Sequence, residues 1–297
     1  MSGYTPEISE INDPLFKEQG LRLSLLRLDL LPGPVSGNKG YKLKYILEDM
    51  KAKDKHMLVT FGGAWSNHLA AVAAAGHVLG FQTTGIVRGE QRLPLNPTLE
   101  KAMQEGMVIH YVNRALYRDK GLLNAWVYEK FGSDVYVVPE GGSNALAVLG
   151  CREILDSLNV LPDWICCACG TGATLAGLAS SKNGRSRCMG FPVLRNGEFI
   201  RQEVAQLVGE EVAHEIELDN QWHFGGYAKI TPPLVDFVQR FKREQGIQLD
   251  YIYTGKLLFG LYERIREGRF ERGSHILAIH TGGVQGNVGI EKQTGLC

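Results

Sequence analysis

Lys39 and Lys42 stand three residues apart in "SGNKGYKLKYIL", where a Ser-Gly-Asn turn gives way to a helical pattern. An ammonium at a helix start meets the positive end of the macrodipole, whereas a neutral amine suffers much less. A lysine of depressed pKa is what attack on an aldehyde requires. Lys39 is therefore read as a Schiff-base nucleophile, and Lys42, on roughly the same helix face, would depress it further by charge or relay protons. The plain alternative is a solvated helix start. A second constellation follows Cys169, where "GTGATLAGL" sets Gly170, Thr171, Gly172, Ala173 and Thr174 at the opening of another helix. Successive backbone N–H groups there can converge on one point, with hydroxyl donors beside them, to form an anion cup. The stretch lacks the Gly-Lys-Ser/Thr ending of a triphosphate loop and the acidic residue of a dinucleotide fingerprint, so it suits a monophosphate cofactor. A turn kept tight for steric reasons alone is the competing reading.

The elements that must position these residues repeat along the chain. Short apolar runs end in glycine and lead into helical patterns: "MLVTFGG" before "SNHLAAVAAAGHVLG", "DVYVVPEGGS" before "NALAVLGCREIL", "WICCACGTG" before "ATLAGLAS", with "SHILAIHTGG" near the end. Strand, glycine turn and helix in alternation predict an α/β fold, three layers built on mostly parallel twisted sheets, with ligands at the carboxyl ends of the strands. A larger cofactor-binding domain is expected from residues 1–43 and 151–297, and a smaller mobile α/β domain from residues 44–150. Residues 89–134, richer in charge and broken at "RLPLNP", read as peripheral to the main sheet. Tyr111, Trp126 and Tyr128 within them read as core aromatics.

Charge argues for a small ligand. Lys and Arg total 32 and Asp and Glu total 32, so nothing points to a nucleic acid or a membrane surface as partner. Cysteines 151, 166, 167, 169, 188 and 297 lack zinc-site spacing and read as buried reduced thiols, with no metal expected. The N-terminal stretch has neither a basic nor an apolar signal region, and no apolar window approaches about 20 residues, so a cytoplasmic location is expected.

The order "SGNKGYKLKYIL", "FGGAWSNHLAAVAAAGHVLG", "PEGGSN", "GTGATLAG", "YTGK" and "HTGG", over about residues 35–283, resembles the pyridoxal-phosphate enzymes of the 1-aminocyclopropane-1-carboxylate deaminase and D-cysteine desulfhydrase family. That resemblance implies a tryptophan-synthase-β-like fold (type II), pyridoxal 5'-phosphate as cofactor, a small amino acid as substrate and a homodimer. It gives Lys39 the role of the lysine bound covalently to the cofactor, and Asn67 that of the asparagine beside the ring hydroxyl. Ser66 corresponds to the serine next to the reacting carbons, and residues 169–174 to the phosphate cradle. Tyr227 and Tyr253 resemble the family's two active-site tyrosines.

The two branches of that family differ in electronic demand. Opening a cyclopropane needs a strong electron sink, and those enzymes set a glutamate against the pyridine nitrogen, where its charge retains a proton. The corresponding residue is Thr254, and Thr281 replaces their leucine before the C-terminal Gly-Gly. Two threonines favour α,β-elimination from D-cysteine or a relative, giving pyruvate, ammonia and hydrogen sulfide. The alternatives are ring-opening deamination on the same scaffold and an inactive protein that binds the cofactor or a metabolite. Three departures from the family bear on the substrate. Trp65 replaces a glutamine and is expected to shrink or reshape the pocket, Ala70 and Ala71 replace polar and basic residues, and only Arg27 and Asp29 remain of an N-terminal charged segment. His68 serves either as acid or base or as a hydrogen-bond partner of its neighbours, and His280 is expected to pack beneath the cofactor.

Overall fold

The computed structural model describes residues 5–294 except 157, 159–161 and 183, and Cys297 lies outside them. The elements in chain order are β1 (Glu7–Ile11), α1 (Pro14–Gln19), β2 (Arg22–Arg27), α2 (Asn38–Ala52), β3 (Met57–Gly62), α3 (Asn67–Leu79) and β4 (Gln82–Arg88). There follow α4 (Pro97–Gln104), β5 (Val108–Val112), α5 (Arg114–Arg118), α6 (Lys120–Phe131), β6 (Val135–Val138), α7 (Ala145–Arg152), β7 (Trp164–Cys169) and α8 (Ala173–Ser181). The chain continues through β8 (Arg187–Pro192), α9 (Phe199–Val208), α10 (Glu210–Glu215), β9 (Glu217–Leu218), α11 (Pro232–Gln245), α12 (Thr254–Arg266), β10 (His275–His280) and α13 (Asn287–Thr294).

These strands form two sheets. The larger runs β1-β2-β10-β7-β8-β9 and the smaller β5-β4-β3-β6. The β1–β2 pair is antiparallel and the remaining pairs are parallel. Every residue of β7 and of β10 is buried, as befits central strands covered by helices on both faces. One face of the larger sheet packs against α1, α11 and α12 through Phe16, Phe237 and Leu257, and the other against α8 and α9 through Leu175 and Val204. The smaller sheet is lined by α2 and α3 on one side, through Ile46 and Val72, and by α5 and α6 on the other, through Tyr117 and Val127. The fold is thus the three-layer, mostly parallel type expected from the sequence.

Residues 89–134 supply β5, the edge strand of the smaller sheet, and the three helices α4, α5 and α6. Trp126 meets Phe131 and His110 edge-on in a partly buried cluster. Tyr128 departs from its expected place in the core: it is 48% exposed, because it shares with Lys120 and Asn124 the stripe of α6 that lines the cavity described below, whereas Val127 is buried against the smaller sheet. Cysteines 151, 166, 167, 169 and 188 are buried and free.

Helices α2 and α7 touch backbone to backbone. A Cβ built at Gly150 would stand 1.9 Å from the carbonyl oxygen of Tyr41, so only glycine permits this approach. Gly150→Ala is expected to destabilise the protein by about 1–3 kcal/mol through overpacking, read from its urea midpoint. An unchanged midpoint would mean that α2 and α7 can part without loss.

Candidate active site

The carboxyl ends of β3, β4, β6, β7 and β10 open onto the start of α2, and the loops they feed enclose a cavity of about 950 Å³. That volume lies in the range of small-ligand sites. Of the site residues expected from the sequence, all but Ala173 and Thr254 line it. Those two are fully buried at the heads of α8 and α12.

Three chain segments are tied together at Lys39. Gly37, with φ at 69°, lies against β10's loop, where a Cβ would come 2.2 Å from the carbonyl oxygen of Thr281. That carbonyl accepts the backbone N–H of Asn38 at 3.2 Å. The Asn38 side chain in turn donates from Nδ2 to Thr174 Oγ1 at 2.9 Å, joining the lysine turn to the glycine loop. Lys39 Nζ donates to Asn38 Oδ1 at 3.1 Å. Lys42, 4% exposed, donates to the carbonyl oxygen of Gly141 at 3.1 Å.

Burial lowers the Lys39 amine from 10.5 to about 7, helped by the charge of Lys42 and opposed by Cys151 and Asp250. Desolvation, rather than the helix macrodipole invoked from the sequence, thus leads the causes. Burial also lowers Lys42. Two neighbouring amines of depressed pKa favour a neutral amine at physiological pH, as attack on a carbonyl requires.

The glycine loop has open donors. The first N–H groups of α8 lack intrahelical partners, and Gly172 at the cap offers no side chain to satisfy them. Ser143 Oγ donates to the carbonyl oxygen of Thr171 at 3.2 Å and holds the loop against residues 139–143. Ser66 caps α3, its Oγ accepting from the N–H of Leu69 at 3.3 Å, which leaves its hydroxyl proton available. Tyr227 and Tyr253 meet edge-on with ring centres 6.2 Å apart. Burial pushes Tyr227 up to about 12 and Tyr253 well above its ordinary value, so both are proton donors at neutral pH.

Hydrogen bonding fixes the tautomer of His68, which is 2% exposed. Thr60 Oγ1 donates to the carbonyl oxygen of Val138, and so accepts from His68 Nε2–H, both at 2.9 Å. His68 Nδ1 is left as an unprotonated acceptor with no hydrogen-bond partner among the described residues. Burial, then the charges of Lys39 and Lys42, hold the ring well below its ordinary pKa and keep it neutral. His280, fully buried, accepts from the N–H of Gly282 at Nδ1 and donates from Nε2 to the carbonyl oxygen of Gln248 at 2.9 Å. Arg27 and Asp29 form a bidentate pair at 2.9 and 2.7 Å.

Two findings depart from or add to the sequence reading. Trp65 does not shrink the cavity, because its ring turns away: it packs on the core of the larger sheet and lies against Gly289, where a Cβ would come 2.8 Å from Trp65 Cζ3. What reaches the site from Trp65 is its carbonyl oxygen, which accepts the Tyr227 hydroxyl at 3.1 Å. The residue missed was Asp250, 2% exposed, whose carboxylate accepts the backbone N–H groups of Ile252, Tyr253 and Thr254 at 3.0, 2.7 and 2.8 Å. An Asp three or four residues ahead of a helix start was the available signal. Thr254 Oγ1, at the head of that helix, is buried without a hydrogen-bond partner among the described residues.

A depressed lysine and the open N–H groups of a glycine loop, facing one cavity, fit a phosphorylated pyridine aldehyde. Together with the paired parallel sheets they define a pyridoxal-phosphate enzyme of the tryptophan-synthase-β fold type. A Pyrococcus horikoshii protein whose assigned name, 1-aminocyclopropane-1-carboxylate deaminase, is provisional is 33% identical over 95% of this chain and 89% of its own length. The bifunctional mitochondrial D-cysteine desulfhydrase/1-aminocyclopropane-1-carboxylate deaminase of Arabidopsis thaliana is 31% identical over 90% of this chain and 73% of its own. The crystal structure of an ACC deaminase homologue superposes with a TM-score of 0.84 at 29% identity, covering 99% of this chain and 94% of that one. No family model matches the sequence. The chain belongs to the 1-aminocyclopropane-1-carboxylate deaminase and D-cysteine desulfhydrase family, and is a pyridoxal-phosphate-dependent lyase or deaminase.

Removing the Asp250 carboxylate would strip three buried N–H groups of their acceptor. Asp250→Ala is expected to destabilise the protein by about 1–3 kcal/mol, and chemical denaturation checks this. A loss below a few tenths would show that the head of α12 is held by packing alone.

Proposed function

We propose that the chain catalyses α,β-elimination from D-cysteine or a related β-substituted amino acid; from D-cysteine, loss of hydrogen sulfide and hydrolysis of the remaining enamine by one water give pyruvate and ammonia. The observation that carries the reading is Thr254: a neutral, wholly buried hydroxyl without a partner, where the sequence resemblance puts the cyclopropane branch's glutamate. A hydroxyl cannot hold a proton on a pyridine nitrogen by charge, and elimination of a good leaving group needs less electron withdrawal than ring opening does.

In this reading the Lys39 amine holds the cofactor's aldehyde carbon, and residues 169–174 hold its phosphate on backbone N–H groups. Asn67 stands beside the ring hydroxyl, and Thr254 and Thr281 on the side of the ring nitrogen. Bound there, the cofactor withdraws electrons from the substrate's α-carbon. Ser66 donates its hydroxyl proton to the substrate carboxylate. The Lys39 amine, neutral for about half its population near pH 7, takes the α-proton, and Lys42 accepts or returns protons beside it. The protonated phenol of Tyr253 supplies a hydrogen bond or a proton to the departing sulfur, and Tyr227 does so once its hydroxyl turns from the Trp65 carbonyl oxygen. Residues 44–150 form the smaller unit that closes over the substrate.

Purified protein supplied with D-cysteine, L-cysteine, D-serine and 1-aminocyclopropane-1-carboxylate is expected to release sulfide and pyruvate fastest from D-cysteine. Ammonia from the cyclopropane alone would transfer the assignment to ring opening, and bound cofactor without turnover of any would favour a binding role. Lys39→Ala should lose the cofactor's visible band, whereas Lys42→Ala should keep it and turn over slowly. Uptake of pyridoxal phosphate by cofactor-free protein should rise about tenfold from pH 6 to pH 8 and then level off, because an amine of pKa about 7 completes its deprotonation over that interval. Uptake that keeps climbing to pH 10 would describe an ordinary solvated lysine.

A further inference from the structure

Ala70 and Ala71 give the cavity wall methyl groups where the family resemblance implies polar and basic side chains, and Ala74 lies on the same wall. An amino-acid substrate nonetheless brings a carboxylate that needs donors or a cation. Among the cations lining the cavity, Lys39 is bonded to Asn38, Lys42 to Gly141, and Lys120 stands 3.7 Å from Glu140. Arg88 and Lys101 have no ion pair among the described residues.

Arg88 is the better placed of the two. It ends β4, the strand beside β3, and so emerges next to the loop that carries Ser66 and Asn67. A Cβ built at Gly63 in that loop would lie 3.9 Å from Arg88 Nη2. Its guanidinium sits 5.5 Å above the ring of Tyr117, itself only 2% exposed, which steadies a long side chain before any ligand arrives. A planar fork of donors, unpaired and held beside the loop, suits a carboxylate better than a lysine would.

We propose that Arg88 is a specificity-determining residue that receives the substrate's carboxylate alongside Ser66, replacing donors lost at positions 70 and 71. The proposal rests on the amino-acid reading above. It explains how an alanine-rich wall can belong to an enzyme for zwitterions: the cation comes from the neighbouring strand instead of the helix.

The test titrates the holoenzyme with each enantiomer of alanine, which has no β leaving group, and of alaninamide, which lacks the carboxylate, following the cofactor's visible absorbance. In Arg88→Gln, alanine is expected to bind at least about tenfold more weakly while alaninamide binds as in the wild type; Arg88→Lys should fall between, and Lys101→Gln should match the wild type. Alanine affinity unchanged in Arg88→Gln, equal losses for alanine and alaninamide, or a carboxylate-selective loss in Lys101→Gln instead would overturn the assignment. A wild-type protein with no cofactor band, or one that binds no amino acid, would remove the underlying reading and is seen before any variant is made.

Discussion

The site depends on an amine kept where water solvates it poorly. Lowering Lys39 from 10.5 to about 7 corresponds to several kcal/mol of differential interaction between its two protonation states, and a fold tolerates that only if the surroundings are fixed by other contacts. They are. Asn38 bonds the loop after β10 through its backbone and the head of α8 through its side chain. The turn bearing the lysine is therefore immobilised against the glycine loop before any ligand is considered.

The same constraint explains the company Lys39 keeps. A second buried lysine, a histidine held neutral and two phenols pushed above their ordinary range are all groups whose charged forms are disfavoured by desolvation. Beside them the Asp250 carboxylate accepts three N–H groups at the head of α12. The cleft therefore combines a floor that resists charging with open backbone donors at the head of α8. At its mouth Arg88, Lys120 and Glu140 bring fixed charges to the rim.

Local patterns and glycine placement made the fold and most of the site legible. β7 and β10 are apolar runs ended by glycine, which is how a fully covered parallel strand must look, and the loops they feed carry the residues expected to meet the cofactor. The direction of side chains was not legible. Trp65 reads as narrowing the pocket by its size, yet its ring packs on the core of the larger sheet and against Gly289 of α13, away from the cavity. Tyr128 reads as core by its type, yet its position on α6 sends it to the rim. Arg88 was not singled out by the sequence, and the alignment of β4 on β3 is what brings it to Gly63.

The sequence by itself determined the alternation of strands and helices, the lysine at a helix start and the glycine loop that opens α8, because each follows from short-range spacing. Only the tertiary structure decided how far the lysine's charge is suppressed, which tautomer His68 adopts, and which cations remain unpaired in the cleft. Those properties depend on residues distant in the chain, and desolvation and hydrogen bonding act through space, not through sequence.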